Sequence, residues 1–121
     1  MHPSRRWPRI DLALKVRLTF DNVTEAAESQ TVDISRQGLF VRLAQPRPIG
    51  TKVRLEVRLG SGERLEVQGV VVRVVPDPDD ANPDPTAQAG MGVFLTNARE
   101  PWMRFVAALE LAGRLGEVFD R

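Results

Sequence analysis

Arg5 and Arg9 stand four residues apart near the start of the chain, and Asp33, Ser35 and Gly38 follow about two dozen residues later. A guanidinium is a planar fork that fits phosphate oxygens and, equally well, the O6 and N7 acceptors of guanine. A carboxylate does the opposite job: it accepts from the N1–H and N2–H donors on the other edge of guanine, a pairing few other bases can satisfy. The Ser35 hydroxyl can give or take one further bond, and Gly38, with no side chain, lets a flat ring approach the backbone closely. Arg6 and Arg36 add a cation to each segment. Taken singly, each half has a plainer explanation. A basic segment near a terminus is often a disordered tail, and Asp, Ser and Gly are common turn residues.

Little else in the sequence could do chemistry. There is one histidine, His2, with no placed acid–base partner, and there is no cysteine, which excludes disulfides and thiolate metal sites. No Ser–His–acid arrangement or paired metal-carboxylate spacing is present, so the expectation is a non-enzyme with neither metal nor cofactor. Gly90-Met91-Gly92 has no helix opening directly behind it, as a dinucleotide fingerprint requires, and reads better as a tight spot in a strand. Trp7 can stack on a ligand or pack on a rim, and packing is the stronger reading.

Charge is unevenly spread. The formal net charge is only +1, yet Arg5, Arg6 and Arg9 precede the first acid. Between Val74 and Ala98 there is no Lys or Arg, while Asp77, Asp79, Asp80 and Asp84 crowd one segment. A general nucleic-acid binder carries a broad cationic stripe; a barrel for single-stranded nucleic acid is disfavoured by the near-neutral charge and the few aromatics. No apolar run approaches a membrane span and the first residues lack a secretory apolar stretch. A cytoplasmic protein is expected.

The elements that must position these residues are mostly strands. Leu12, Leu14, Val16, Leu18 and Phe20 alternate with polar neighbours at the period of a half-buried strand. The segment 31–35 alternates too, with Val32 and Ile34 inward, which predicts Thr31, Asp33 and Ser35 together on the outer face. Gly38 opens a strand over 39–43, in which Phe40 can point either way. Val53, Leu55, Val57 and Leu59 form another, and Gly60-Ser61-Gly62 supplies a hairpin turn. In the return strand the inward face passes from Leu65 and Val67 to Val70, Val72 and Val74, which predicts a bulge at Gly69. Residues 76–86 hold four prolines and the acidic cluster, a solvated loop, whose acids serve solubility better than a partner. A last strand is expected over 88–96. Trp102, Phe105, Val106, Leu109 and Ala112 then predict a helix over about 99–115, weakened late by Gly113 and Gly116, whose stripe closes one end of the barrel. The fold expected is mainly β: a six-stranded antiparallel closed β-barrel with one C-terminal α-helix. Its parts are a flexible basic N-terminal arm over 1–11, the barrel over 12–97 and the helix over 98–121.

The combination of Arg5-xxx-Arg9 with Asp33-x-Ser35-x-x-Gly38 resembles the PilZ domain family. Arg-Trp-Pro-Arg-Ile-Asp-Leu, Asp-Ile-Ser-Arg-Gln-Gly-Leu-Phe-Val and Ala-Gly-Met-Gly-Val-Phe-Leu extend the likeness over roughly residues 5 to 110, leaving no separate output domain outside it. The resemblance implies a split-barrel fold that binds cyclic di-GMP on its outer surface. Arg5 and Arg9 would hold phosphates and guanine edges, Asp33, Ser35 and Gly38 would receive a base, and Arg6 and Arg36 would add contacts. Gln37 stands where a second glycine is frequent. Ser4 occupies a position tied to ligand stoichiometry, so one ligand or a stacked pair stays open. The expected function is a single-domain receptor that orders its arm on binding and signals to an unidentified effector protein. The alternative is a PilZ-like protein-interaction adaptor without a physiological ligand, acting in motility or envelope regulation.

Overall fold

The structure, a computed structural model, describes residues 9–20, 26–75, 89–98 and 100–119, with helix side chains as far as Gly113. Its elements in chain order are β1 (Ile10–Asp11), β2 (Lys15–Phe20), β3 (Ala26–Ser35), β4 (Gly38–Arg42), β5 (Lys52–Arg58), β6 (Arg64–Val75), β7 (Gly90–Leu95) and α1 (Glu100–Phe119). Six antiparallel strands close a circuit: β2 pairs β5, then β6, β7, β4 and β3, which returns to β2. Closure removes the sheet edges that an open sheet of this size would expose.

Strict alternation explains the core. Val16, Leu18 and Phe20 of β2 face Val53, Leu55 and Val57 of β5 inside the barrel, with Val67, Val71, Met91 and Val93 completing it. The hairpin between β5 and β6 turns through Gly62, whose φ of 94° suits glycine alone. Trp102 and Val106 of α1 are buried against the barrel, and Pro101 sits in the first turn, where its missing amide costs nothing. The helix runs through Gly113 and Gly116 to Phe119, longer than its sequence pattern predicts.

Three local expectations fail, each for a reason carried by neighbouring strands. The strand expected over 12–20 is broken: β1 ends at Asp11 and β2 begins at Lys15. Thr31 is not on the outer face but is buried, 1% exposed, filling that break. Its Oγ1 donates to the Leu12 carbonyl at 2.6 Å and accepts from the Leu14 amide at 2.9 Å, satisfying groups the interrupted ladder leaves over. Correspondingly Val32 is only partly buried. Third, Gly69 carries no bulge: β5–β6 pairing runs through it without a shift, and the slip falls between Val71 and Arg73 on the β6–β7 side. Val72 is therefore turned out, 51% exposed, rather than inward. Gly69 answers a different demand, since a Cβ there would meet the Phe94 carbonyl oxygen and Val93 Cγ1 at 2.5 Å.

Replacing Thr31 with valine keeps the shape and removes both hydroxyl bonds. Thr31→Val is expected to destabilise the ligand-free protein by about 1–3 kcal/mol, read as a lowered urea midpoint with an unchanged slope. An unshifted midpoint would mean that water reaches the Leu12 and Leu14 groups.

Candidate functional site

Of the first segment Arg9 is described, and it meets Asp33 on the outside of the barrel. Ile10 pairs with Ile34 and Asp11 with Asp33; continued by one residue, that register sets Arg9 across from Ser35. The Arg9 Nη1 lies 3.9 Å from Asp33 Oδ2, with the side chains 40% and 19% exposed. This is a loose, solvent-screened ion pair of the kind that contributes little to stability. Arg5 and Arg6 lie outside the described residues.

Asp33 reaches the exterior through a change of phase in β3. Ala27 and Thr31 lie on the inner side, yet Ile34, three residues after Thr31, is fully buried. The register of β3 against β4 shifts between Thr31 and Asp33, and this bulge turns Asp33 and Ser35 outward where uninterrupted alternation from Thr31 would bury them.

Ser35 and Gly38 close the β3–β4 turn. The Ser35 hydroxyl donates to the Gly38 carbonyl at 3.4 Å, a long bond that leaves the hydroxyl easily redirected. Gly38 is required by the barrel itself: a Cβ there would meet the Val93 carbonyl oxygen at 2.7 Å across the β4–β7 pair. The packing of the barrel is by itself sufficient reason for glycine at this position.

Arg36 is directed at the helix. Its Nη2 donates to Glu110 Oε1 at 2.7 Å, and its Nε lies 3.2 Å from both carboxylate oxygens. The hydrogen bonds to Glu110 raise the Arg36 pKa above its already high ordinary value. A raised pKa in a cation adds stability that is present below the unfolded value and lost only as pH climbs through the folded one. That window is strongly alkaline, so Arg36 stays charged throughout the neutral range. Glu110 is not among the residues the sequence singles out; its signal is a charged residue four positions after Val106, on the stripe that buries Trp102 and Val106.

Phe40 lies opposite Asp33 on β4 and is 9% exposed. It rests on Gly90, where a Cβ would meet ring atoms at 2.8 and 2.9 Å, and the Arg73 guanidinium covers it 5.6 Å from the ring centre. The glycine pair is indeed a tight spot in a strand. A separate groove of about 470 Å³ lies toward the start of β3, lined by Lys15, Arg17, Arg42 and Arg58 with Glu28 as its acid; none of the candidate residues among the described ones borders it. Among the described residues no group of three His, Cys, Asp or Glu is placed to hold a metal ion, and no helix is long and apolar enough to cross a membrane.

The PilZ domain family model matches residues 3–104 of this chain. Among solved structures, the Bacillus subtilis inhibitor of motility (MotI/DgrA) superposes with a TM-score of 0.75 at 21% identity, covering 96% of this chain and 53% of that one. This chain thus spans about half the length of that relative. The PilZ domain of YcgR from Escherichia coli, solved with c-di-GMP, gives 0.69 at 15% identity over 97% and 98% of the two chains. The PilZ domain of CeSA from a cellulose-synthesizing bacterium gives 0.58 at 22% identity over 85% and 98%. Among curated proteins none matches.

Gly38→Ala should lower the stability of the ligand-free protein by about 1–3 kcal/mol, the usual cost of forcing atoms into packed space. Chemical denaturation checks this, and unchanged stability would show slack between β4 and β7.

Proposed function

The chain belongs to the PilZ domain family, a family of cyclic di-GMP receptors, and from that premise we propose that it binds cyclic di-GMP on the outer barrel surface around Asp33. The observation that carries this reading is the Arg9–Asp33 approach of 3.9 Å across the β1–β3 ladder. It brings a phosphate-seeking fork and a guanine-reading carboxylate within reach of one ligand. Asp33 accepts from the guanine N1–H and N2–H, Ser35 contributes a hydroxyl, and Arg9 leaves its screened pair with Asp33 for a phosphate or for guanine O6 and N7. The segment bearing Arg5 and Arg6 is drawn onto the ligand from the β1 side, and this ordering is the signal passed to an effector protein.

A rival reading, an adaptor barrel without a physiological ligand, has one observation in its favour. Both guanidiniums of the described site, Arg9 and Arg36, already face carboxylates of the protein. It predicts a partner captured equally with and without the dinucleotide, and equally by the Arg9→Ala variant.

Calorimetric titration with cyclic di-GMP separates the two. Binding is expected, and Arg9→Ala should cost about 1.5–3 kcal/mol, roughly ten- to a hundredfold in affinity, as for loss of a charged hydrogen bond. Asp33→Ala should weaken binding and erode the preference for guanine over adenine cyclic dinucleotides. Absence of heat at high ligand concentration would dismiss the receptor reading.

A further inference from the structure

The face of α1 that docks on the barrel breaks its own pattern. Trp102, Val106 and Glu110 recur every four residues and so lie on one stripe of the helix. Trp102 and Val106 are buried apolar anchors, but the third position is a carboxylate whose side chain is only 7% exposed. Beyond it Leu111, Ala112 and Gly113 are exposed. The last described inward attachment of the helix on this stripe is therefore an ion pair, and its counter-ion comes from the middle of the Asp33–Gly38 motif.

That motif is bonded to the helix twice. Besides the Arg36–Glu110 contact, the Trp102 indole N–H donates to the carbonyls of both Ser35 and Arg36 at 3.1 Å. The first turn of the helix thus grips the backbone of the motif, while a later turn grips its one cationic side chain. The Trp102 bonds use main-chain carbonyls and are compatible with any position of the Arg36 side chain. The Nε–Nη2 edge of the Arg36 guanidinium, in contrast, is given to Glu110, so a phosphate that takes this same edge must displace the carboxylate.

We propose that Arg36 is a latch, shared competitively between Glu110 of α1 and the phosphate of a ligand bound at Asp33, so that occupancy of the site frees the second half of the helix. The proposal rests on the receptor reading above. Withdrawing Arg36 leaves the Glu110 carboxylate buried without its counter-ion, a state costly enough that the carboxylate must move to water. Residues 107–113 leave with it, while Trp102 and Val106 keep the first turns in place. The output is a newly exposed apolar edge at Leu109, beside the already exposed Leu111. By linkage, whatever loosens Glu110 must tighten ligand binding to the same extent.

The test compares wild type, Glu110→Gln and Glu110→Leu by cyclic di-GMP titration and by amide hydrogen exchange over α1. Wild type should lose exchange protection over 107–113 when ligand is added, while the amides following Trp102 keep theirs. Glu110→Gln weakens the hold on Arg36, so it should bind several-fold more tightly and exchange faster over 107–113 before ligand is added. Glu110→Leu completes the apolar stripe, so it should also bind more tightly, yet keep the helix protected with ligand present. Equal or weaker binding by Glu110→Gln, or wild-type helix protection indifferent to ligand, overturns the latch and leaves the receptor reading standing. No binding by any of the three overturns the receptor reading and the latch with it.

Discussion

The site exists because β3 changes phase within three residues. Along its first half, odd-numbered positions face inward, matched to Val16 and Leu18 of β2. Had that phase continued, Asp33 would have been carried into an apolar barrel, where an isolated carboxylate is strongly disfavoured. The bulge after Thr31 reverses the phase, so that Ile34 enters the core and Asp33 leaves it. The Thr31 hydroxyl makes the reversal tolerable. By bonding Leu12 and Leu14 it satisfies the main chain between β1 and β2, at the point where β3 passes from one partner strand to the other. One buried hydroxyl thus connects the break in the first strand to the outward face of the Asp33–Gly38 motif.

This arrangement decides how much could be read from the sequence. The inward faces of β2 and β5, the hairpin at Gly60–Gly62 and the buried anchors Trp102 and Val106 follow from period and turn chemistry, and all are present. So is the outward aim of Asp33 and Ser35, because Ile34 fixes the phase of the second half of β3. Sequence pattern misplaces Thr31 because a two-residue period carries no mark of where a bulge falls. That position is set by which strand sits alongside, and β3 has three: β1, β2 and β4. Sequence pattern misplaces the bulge in β6 for the same reason. A glycine is a local cue, but Gly69 is there to let β7 come close, and the slip occurs two residues later against that strand.

Three of the glycines share a single cause. Gly38 on β4 and Gly69 on β6 each place their missing side chain against main-chain carbonyls of β7, and Gly90 on β7 places its own against the Val41 carbonyl of β4. Strands β4, β7 and β6 therefore curve around a narrow barrel at a radius that no Cβ at these positions permits. Gly38 falls at the close of the Asp33–Gly38 motif and at the first residue of β4, where this curvature is felt. A motif glycine and a structural glycine are here one residue.

The arginines divide on the burial of their partners. Arg9 faces a carboxylate that water reaches, at 3.9 Å, so exchanging that partner for another anion changes its surroundings little. Arg36 faces a carboxylate that is almost wholly buried, at 2.7 Å, and exchange there strands a charge. Two guanidiniums of the same site thus differ in what their departure does to the rest of the molecule. Arg9 can move toward an anion without consequence beyond β1, whereas any displacement of Arg36 is transmitted to α1. The contact that couples Arg36 to α1 lies at Glu110, outside the Asp33–Gly38 motif.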